Sequence, residues 1–229
     1  MGITGLQEQV FRQGDLLRVL KGTYGALAEE QEAVKKIEGG ICYMLSIEWL
    51  LKLSEQPNAY PASVYDTQFD NSETAMYYKQ IADNYYKFSA DWGYTFESRA
   101  GHPGAERMSG TRMVEIDRHY VELCSREKYT VPNTFNQFTA AADITGTYGG
   151  NCALLLYLNV IPYTPPARGF GHEMALWRYN GRSYFYDPNA GVFKLPDFSR
   201  IVGEIISGYT AAVPGGAQAQ ITITQINKK

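Results

Sequence analysis

A helix that is apolar on almost every side is the feature that most constrains this fold. It follows Gly39-Gly40 and is predicted over Ile41–Leu53. Its polar residues do not share one face; they are Ser46, Glu48 and Lys52. A helix of this kind has to be buried on most of its surface. It also places Cys42 in its first turn, where unpaired backbone N–H groups favour a thiolate.

The first half of the chain is predicted to be mainly helical, with apolar residues at helical spacing from Ser72 to Trp92. The other helices predicted there are Leu27–Lys36, Ser72–Trp92 and Thr111–Arg126. We expect the three tryptophans to pack in the core; they are Trp49, Trp92 and Trp177.

The second half of the sequence is typical of strands. The predicted strands are Ala153–Val160, Glu173–Tyr179, Arg182–Tyr186 and Val192–Leu195. Asn180-Gly181 predicts a tight hairpin between the second and third of them. Phe198–Tyr209 is a candidate helix, and the alternation in Gln218–Ile226 predicts an edge or outer strand. Helices followed by antiparallel strands indicate an α+β fold, with the Cys-bearing helix packed on the sheet.

The length and charge of the chain limit its organisation and partners. Its 229 residues suffice for one sizeable domain and are few for two. We therefore expect a single domain over 1–229, helical to about residue 150 and built on a sheet from about residue 151. The net charge of −3 gives no basic field for nucleic acid or an anionic membrane. No apolar run approaches membrane-spanning length, so neither nucleic acid nor a membrane span is expected.

The cysteines favour a reducing environment. There are three, at long spacings, which is neither a disulfide framework nor a zinc motif. We expect Cys124 and Cys152 to be core residues. The N-terminus lacks the basic start and apolar stretch of a cleaved signal peptide. The sequence therefore predicts a cytosolic protein, or one exported by a route that needs no cleaved signal.

His172 and Asp187 supply a candidate base and orienting carboxylate for Cys42. Residues at similar distances from the Asn180-Gly181 turn face each other, which places His172 near Asp187 at the open end of the hairpin. Such a carboxylate orients the imidazole and stabilises imidazolium. The imidazolium then lowers the pKa of Cys42, whose thiolate attacks an acyl carbonyl while its backbone N–H donates to the oxyanion. The histidine follows the cysteine by roughly 130 residues, a spacing found in papain-like enzymes.

Three blocks of the sequence resemble the YopT-type cysteine proteases. Gly40–Trp49 (GICYMLSIEW) is similar to their G-x-C-x-x-L-S-x-x-W signature. Gly171–Glu173 and Tyr186–Phe193 are similar to the His block and the D-P-N-x-G-x-F block of that family. The resemblance implies a papain-like fold, a Cys-His-Asp triad at the matched positions, and a bacterial virulence effector delivered into a host cell.

One part of the family pattern is missing. Family members carry an amide side chain a few residues before the cysteine, where it completes the oxyanion hole. Here that stretch is Lys36-Ile37-Glu38, and the nearest amide is Gln31. Asn189, just after the matched carboxylate, is assigned to the turn.

The leading hypothesis is a cysteine endopeptidase, an effector or toxin secreted without a cleaved signal. It would use no metal or cofactor and cleave a protein in the cytosol of a target cell. A chaperone or an immunity protein is a candidate partner. Two alternatives stay open: deamidation or transglutaminase-type acyl transfer with the same triad, and a binding module with an impaired site.

Overall fold

The computed structural model describes residues 6–25, 27–87, 96–98, 105–108, 112–116, 119–131, 150–165, 168–195 and 207–228. The α-helices in that part of the chain are α1 (Gln13–Thr23), α2 (Ala28–Ile37), α3 (Cys42–Glu55) and α4 (Ser72–Lys87). A 3₁₀ turn covers Pro61–Ser63, and residues 207–211 form one further helical segment. None of the described helices is long and apolar enough to cross a membrane.

Within the described residues, the strands form one ten-stranded antiparallel sheet. They are β1 (Leu6–Val10), β2 (Phe96–Ser98), β3 (Ala105–Met108), β4 (Arg112–Ile116), β5 (His119–Val131), β6 (Cys152–Pro162), β7 (Phe170–Tyr179), β8 (Arg182–Asp187), β9 (Gly191–Leu195) and β10 (Ala217–Lys228). Their order is β1-β9-β8-β7-β6-β10-β5-β3-β2, and β4 also pairs with β5. The N-terminal strand β1 therefore lies beside β9, at the end of the sheet that holds the predicted hairpin.

Two apolar cores lie on opposite faces of this sheet. Alternate residues of a strand point to opposite faces, and along β7 Ala175 and Trp177 belong to one core while Met174 and Leu176 belong to the other. The first core also contains the buried side of α3, including the fully buried Trp49. Helices α1 to α4 are therefore packed on the first face, whereas Tyr209 of the segment 207–211 belongs to the second core.

Several predicted elements are confirmed. Leu27–Lys36 and Ile41–Leu53 are found as α2 and α3, and Ser72–Trp92 as α4, whose described part ends at Lys87. The predicted hairpin is β7–β8, with Tyr179 opposite Arg182. Asn180 and Gly181 have φ of 48° and 73°, as a two-residue turn between twisted strands requires. The strands predicted at 153–160 and 192–195 are β6 and β9.

The helix predicted over Thr111–Arg126 is wrong. The chain there forms β4 and β5, with Ile116 opposite His119. The segment has valines at helical spacing, but it is also rich in residues that favour strands. The pairing of β5 with β10 over ten positions decides between the two patterns, because tertiary pairing overrides a weak local preference. Within the described residues, the named helices thus end at Lys87, well before residue 150.

The prediction of an edge or outer strand at Gln218–Ile226 is also wrong. Strand β10 lies between β5 and β6, in the middle of the sheet. Its apolar alternation changes phase at an irregularity between Thr224 and Gln225 in its pairing with β5. Ile223 therefore packs in the second core and Ile226 in the first. Thr222 and Thr224, on either side of Ile223, are buried as well, so alternation of apolar and polar residues did not indicate exposure.

Some predictions fall partly outside the described residues. Of the helix predicted over Phe198–Tyr209, only its last part is described, within 207–211. Trp92 lies outside the described residues, as does the side chain of Cys124. Trp49, Trp177 and Cys152 are buried, which confirms their assignment to the core. Strand β1 and helix α1 were not predicted.

Candidate active site

Helix α3 begins at Cys42 because the backbone turns sharply before it. Gly40 has φ of 101°, a conformation that residues with a side chain rarely adopt. Ile41 is the N-cap residue and has no polar side chain with which to cap the helix. The Cys42 side chain is half-buried, and its sulfur accepts a hydrogen bond of 3.4 Å from the backbone N–H of Glu173 on β7. The thiol therefore lies where α3 meets the sheet.

His172 and Asp187 come together across the open end of the β7–β8 hairpin. The ladder ends at the pair Ala175–Tyr186, and Asp187, the next residue of β8, lies beyond it on the side of Met174. His172 is two residues further along β7 on the same face, a diagonal neighbour of the carboxylate. His172 Nε2 lies 2.8 Å from Asp187 Oδ1. The two residues are 3% and 0% exposed, so little water competes for this bond.

The Asp187 carboxylate is held by two further donors. The backbone N–H of Asn189 donates to Oδ1 at 2.8 Å, and the Tyr209 hydroxyl donates to Oδ2 at 2.9 Å. The Tyr209 ring also packs on the imidazole of His172, with 5.1 Å between ring centroids. A buried carboxylate is stable as an anion when hydrogen bonds replace its water. Asp187 therefore presents a fixed negative charge to the histidine.

The titration of Cys42 and His172 is coupled. Burial raises the pKa of Cys42. Four interactions outweigh it and bring that pKa below its ordinary value: a hydrogen bond from His172, the positive charge of His172, and hydrogen bonds from the backbone N–H groups of Glu173 and Tyr43. Burial lowers the pKa of His172, and the hydrogen bonds and charges of Asp187 and Cys42 outweigh it, raising the pKa to about 9. Because Asp187 occupies Nε2, the ring nitrogen that remains for the sulfur is Nδ1. Both shifts favour a thiolate–imidazolium pair over a neutral thiol beside a neutral imidazole.

The other residues considered from the sequence lie elsewhere. Gln31 is exposed on α2, and its side-chain amide donates to the carbonyl of Gly25 at 2.7 Å. Burial raises the pKa of Cys152 to about 11, although the charge of Arg178 opposes the change. The structure therefore brings Cys42, His172 and Asp187 together and leaves Gln31 and Cys152 away from them. Among the described residues, no group of His, Cys, Asp or Glu is arranged to hold a metal ion.

Two side chains at the site were not found from the sequence. Tyr209, in the helical segment 207–211, hydrogen-bonds to Asp187. Gln13 hydrogen-bonds to Asn189 in the turn after Asp187. No local motif marks either residue, because each reaches the site only through long-range packing. Asn189 lies in the predicted turn, and its side chain also lies 3.5 Å from His172 Nε2.

The fold and the site define an α+β protein in which a helix-borne thiol meets a histidine–carboxylate pair on an antiparallel sheet. No protein-family model matches the sequence, and no curated protein matches it. Among solved structures the chain is similar to the Pseudomonas avirulence protein AvrPphB, with 14% sequence identity and a TM-score of 0.41. The match covers 82% of this chain and 93% of that one.

Proposed function

We propose that this protein is a cysteine endopeptidase. The observation that carries the proposal is the hydrogen-bonded series from Cys42 through His172 to Asp187, at the junction of α3 and the sheet. A thiol whose pKa is lowered beside an oriented imidazole is the arrangement that nucleophilic acyl transfer requires. The sequence blocks similar to YopT-type proteases contain the same three residues.

The roles follow from the protonation state of the pair. The Cys42 thiolate attacks the carbonyl carbon of a peptide bond; a C–S bond forms, and the π electrons move to the oxygen. The backbone N–H of Cys42 donates to that oxyanion. The imidazolium of His172 gives its proton to the leaving amine as the C–N bond breaks. A water molecule then attacks the carbonyl carbon of the thioester, and the neutral imidazole of His172 takes a proton from that water. The C–S bond breaks, which releases the acid product and restores the Cys42 thiolate. Asp187 keeps the imidazole oriented and its positive charge stabilised throughout.

The proposal includes a protein substrate in the cytosol of a target cell and delivery of this protein into that cell as an effector. This part is supported by the sequence resemblance alone, and so is a chaperone or immunity protein as a further partner.

Mapping new protein N-termini tests the proposal. Lysate of candidate target cells is treated with wild-type protein, with Cys42→Ala and with Cys152→Ala, the last being a matched cysteine control. We expect the same new N-termini with wild type and Cys152→Ala and none with Cys42→Ala. If lysate proteins instead gain mass at glutamine residues and show no new N-termini, the result would contradict endopeptidase activity and support deamidation. Equal products from Cys42→Ala and wild type would exclude Cys42 as the nucleophile.

A further inference from the structure

The side chain of Gln13 links the two halves of the candidate site. Gln13 is the first residue of α1 and is 8% exposed. Its Oε1 accepts a hydrogen bond of 3.2 Å from the backbone N–H of Ile41, the residue before the thiol. Its Nε2 donates to Oδ1 of Asn189 at 2.7 Å, two residues after Asp187. One amide therefore joins the start of α3 to the turn that follows the carboxylate.

The orientation of this amide is determined by its neighbours. The Ile41 N–H is a donor in every protonation state, so it must face the oxygen of Gln13. Nε2 then faces Asn189, which has to present its own oxygen. The Nδ2 of Asn189 is left to donate to the Tyr209 hydroxyl at 3.4 Å, and it lies 3.5 Å from His172 Nε2. The direction of the Gln13 amide thus sets the direction of the Asn189 amide beside His172.

The backbone around Gln13 is fitted to this arrangement. The Gln13 N–H donates to the carbonyl of Pro188 at 2.7 Å, and the Phe11 N–H donates to that of Ala190 at 3.3 Å. On the other side, a Cβ placed on Gly40 would lie 3.2 Å from Gln13 Oε1. A side chain at Gly40 would therefore press on the Gln13 amide and shift it slightly.

We propose that Gln13 is a positioning residue that holds the N-terminus of α3 in register with the His172–Asp187 pair. The proposal rests on the proposed function, since it assigns Gln13 a role through Cys42 and His172. Without Gln13, the Ile41 N–H and the Asn189 oxygen lose their partners, and Cys42 moves relative to the imidazole. A displacement of about 1 Å is enough to lower a rate by roughly 100-fold.

The test is the pH dependence of iodoacetamide reaction at Cys42, followed by mass spectrometry of the labelled peptide. Three variants are compared with wild type: Gln13→Met, which has similar length and no hydrogen bonds; Gln13→Glu; and Gln7→Met. Gln7 is the matched control because its side chain donates to Ala190, in the same turn, from an exposed position at 2.8 Å. Thermal unfolding of each variant shows the range in which it is folded.

We expect Gln13→Met to react about 10- to 100-fold more slowly near neutral pH, with its profile moved towards that of an ordinary thiol. Gln7→Met should react like wild type. Gln13→Glu gives a separate signature. Burial and the nearby Asp187 raise the pKa of the new carboxyl, and its protonated form accepts from Ile41 and donates to Asn189 as glutamine does. The ratio of the Gln13→Glu reaction rate to the wild-type rate should be near one in mild acid. This ratio should fall as that carboxyl ionises.

If Gln13→Met is folded and its Cys42 reacts with iodoacetamide with the same pH dependence as in wild type, the proposal is overturned. If Gln13→Met does not fold, a constant ratio between Gln13→Glu and wild type at all pH values would overturn it instead. An ordinary thiol profile in the wild-type protein would contradict the proposed function itself, so the two failures are distinguishable.

Discussion

Asp187 Oδ1 lies 2.8 Å from His172 Nε2, although the two residues are diagonal neighbours in the β7–β8 hairpin and not direct partners. The β7–β8 ladder ends at the pair Ala175–Tyr186, so the edge of β7 around His172 is not covered by β8. The Cys42 sulfur lies at this edge and accepts a hydrogen bond from the backbone N–H of Glu173. The end of the hairpin thus provides both the carboxylate for the histidine and the place where the thiol enters.

Asp187→Asn should lower the pKa of His172. The amide keeps the size of the side chain and an oxygen for Nε2–H, but the negative charge that favours imidazolium is lost. We expect the pKa to move from about 9 towards the ordinary value of 6.5. The measurement is the imidazole titration of His172 by NMR, together with the rate of Cys42 alkylation. Asp15→Asn, which changes an exposed ion pair on α1, is the control and should change neither. If the His172 titration is unchanged in Asp187→Asn, the carboxylate of Asp187 does not stabilise the imidazolium.

Activity should follow a bell-shaped pH profile whose two limbs belong to the coupled pair. Below the pKa of Cys42 the sulfur is protonated, and this limb should lie under the ordinary thiol value because the pKa is lowered. Above about 9 the imidazolium loses its proton, and the leaving amine has no donor. The profile of kcat/KM for a peptide substrate measures both limbs. A single rise centred at an ordinary thiol pKa would show that no thiolate–imidazolium pair forms.

The selectivity of thiol labelling should separate Cys42 from Cys152. The pKa of Cys42 is lowered by His172, whereas burial raises that of Cys152 to about 11. In mild acid, iodoacetamide should therefore modify Cys42 and spare Cys152, as read by peptide mass spectrometry. His172→Ala is expected to remove the preference because it removes the hydrogen bond and charge that stabilise the thiolate. Preferential labelling that persists in His172→Ala would require another cause for the reactivity.

The parts of the fold predicted from the sequence are those with strong local signals. The buried helix after Gly39-Gly40 and the hairpin at Asn180-Gly181 depend on periodicity and turn chemistry within a few residues. These two elements also carry Cys42, His172 and Asp187, which is why the three could be selected together. The segment 112–131 gave a mixed local signal, and its pairing with β10, almost 100 residues away, could not be read from it.

The supporting residues of the site could not be predicted for the same reason. Gln13 is 28 residues from Ile41 and 176 from Asn189, and the helix that it begins was not predicted. Tyr209 is 22 residues from Asp187 and belongs to no motif. Such partners are fixed by the packing of β1, α1 and 207–211 around the turn, which depends on the whole fold.

Gly191→Ala should strongly destabilise the protein. Gly191 has φ of 125°, and a Cβ there would overlap the carbonyl oxygen of Gln9 and lie 2.8 Å from Phe11 N. The substitution would force β1 away from β9, at a cost of about 3 kcal/mol or more in the free energy of unfolding. Gly14→Ala is the matched control, because a Cβ there meets nothing within 4 Å inside α1. It should be neutral or stabilise by up to about 1 kcal/mol. Denaturant unfolding measures both, and similar stabilities would show that β1 does not pack as described.

Tyr209→Phe should destabilise the protein by removing one donor from a buried anion. The ring remains to pack on His172 and Phe170, so the change is confined to the hydroxyl. This hydroxyl donates to Asp187 Oδ2 at 2.9 Å and accepts from Asn189 Nδ2 at the longer distance of 3.4 Å. Hydrogen bonds to charged groups contribute about 1.5–3 kcal/mol, against about 0.5–1.5 kcal/mol for neutral ones. Tyr78→Phe is the matched control, because its hydroxyl donates to the neutral carbonyl of Asp66 at 2.7 Å. Urea unfolding of both variants should show the larger loss for Tyr209→Phe. Equal losses would indicate that Asp187 is held as a neutral acid, which would leave His172 without the anion that stabilises its imidazolium.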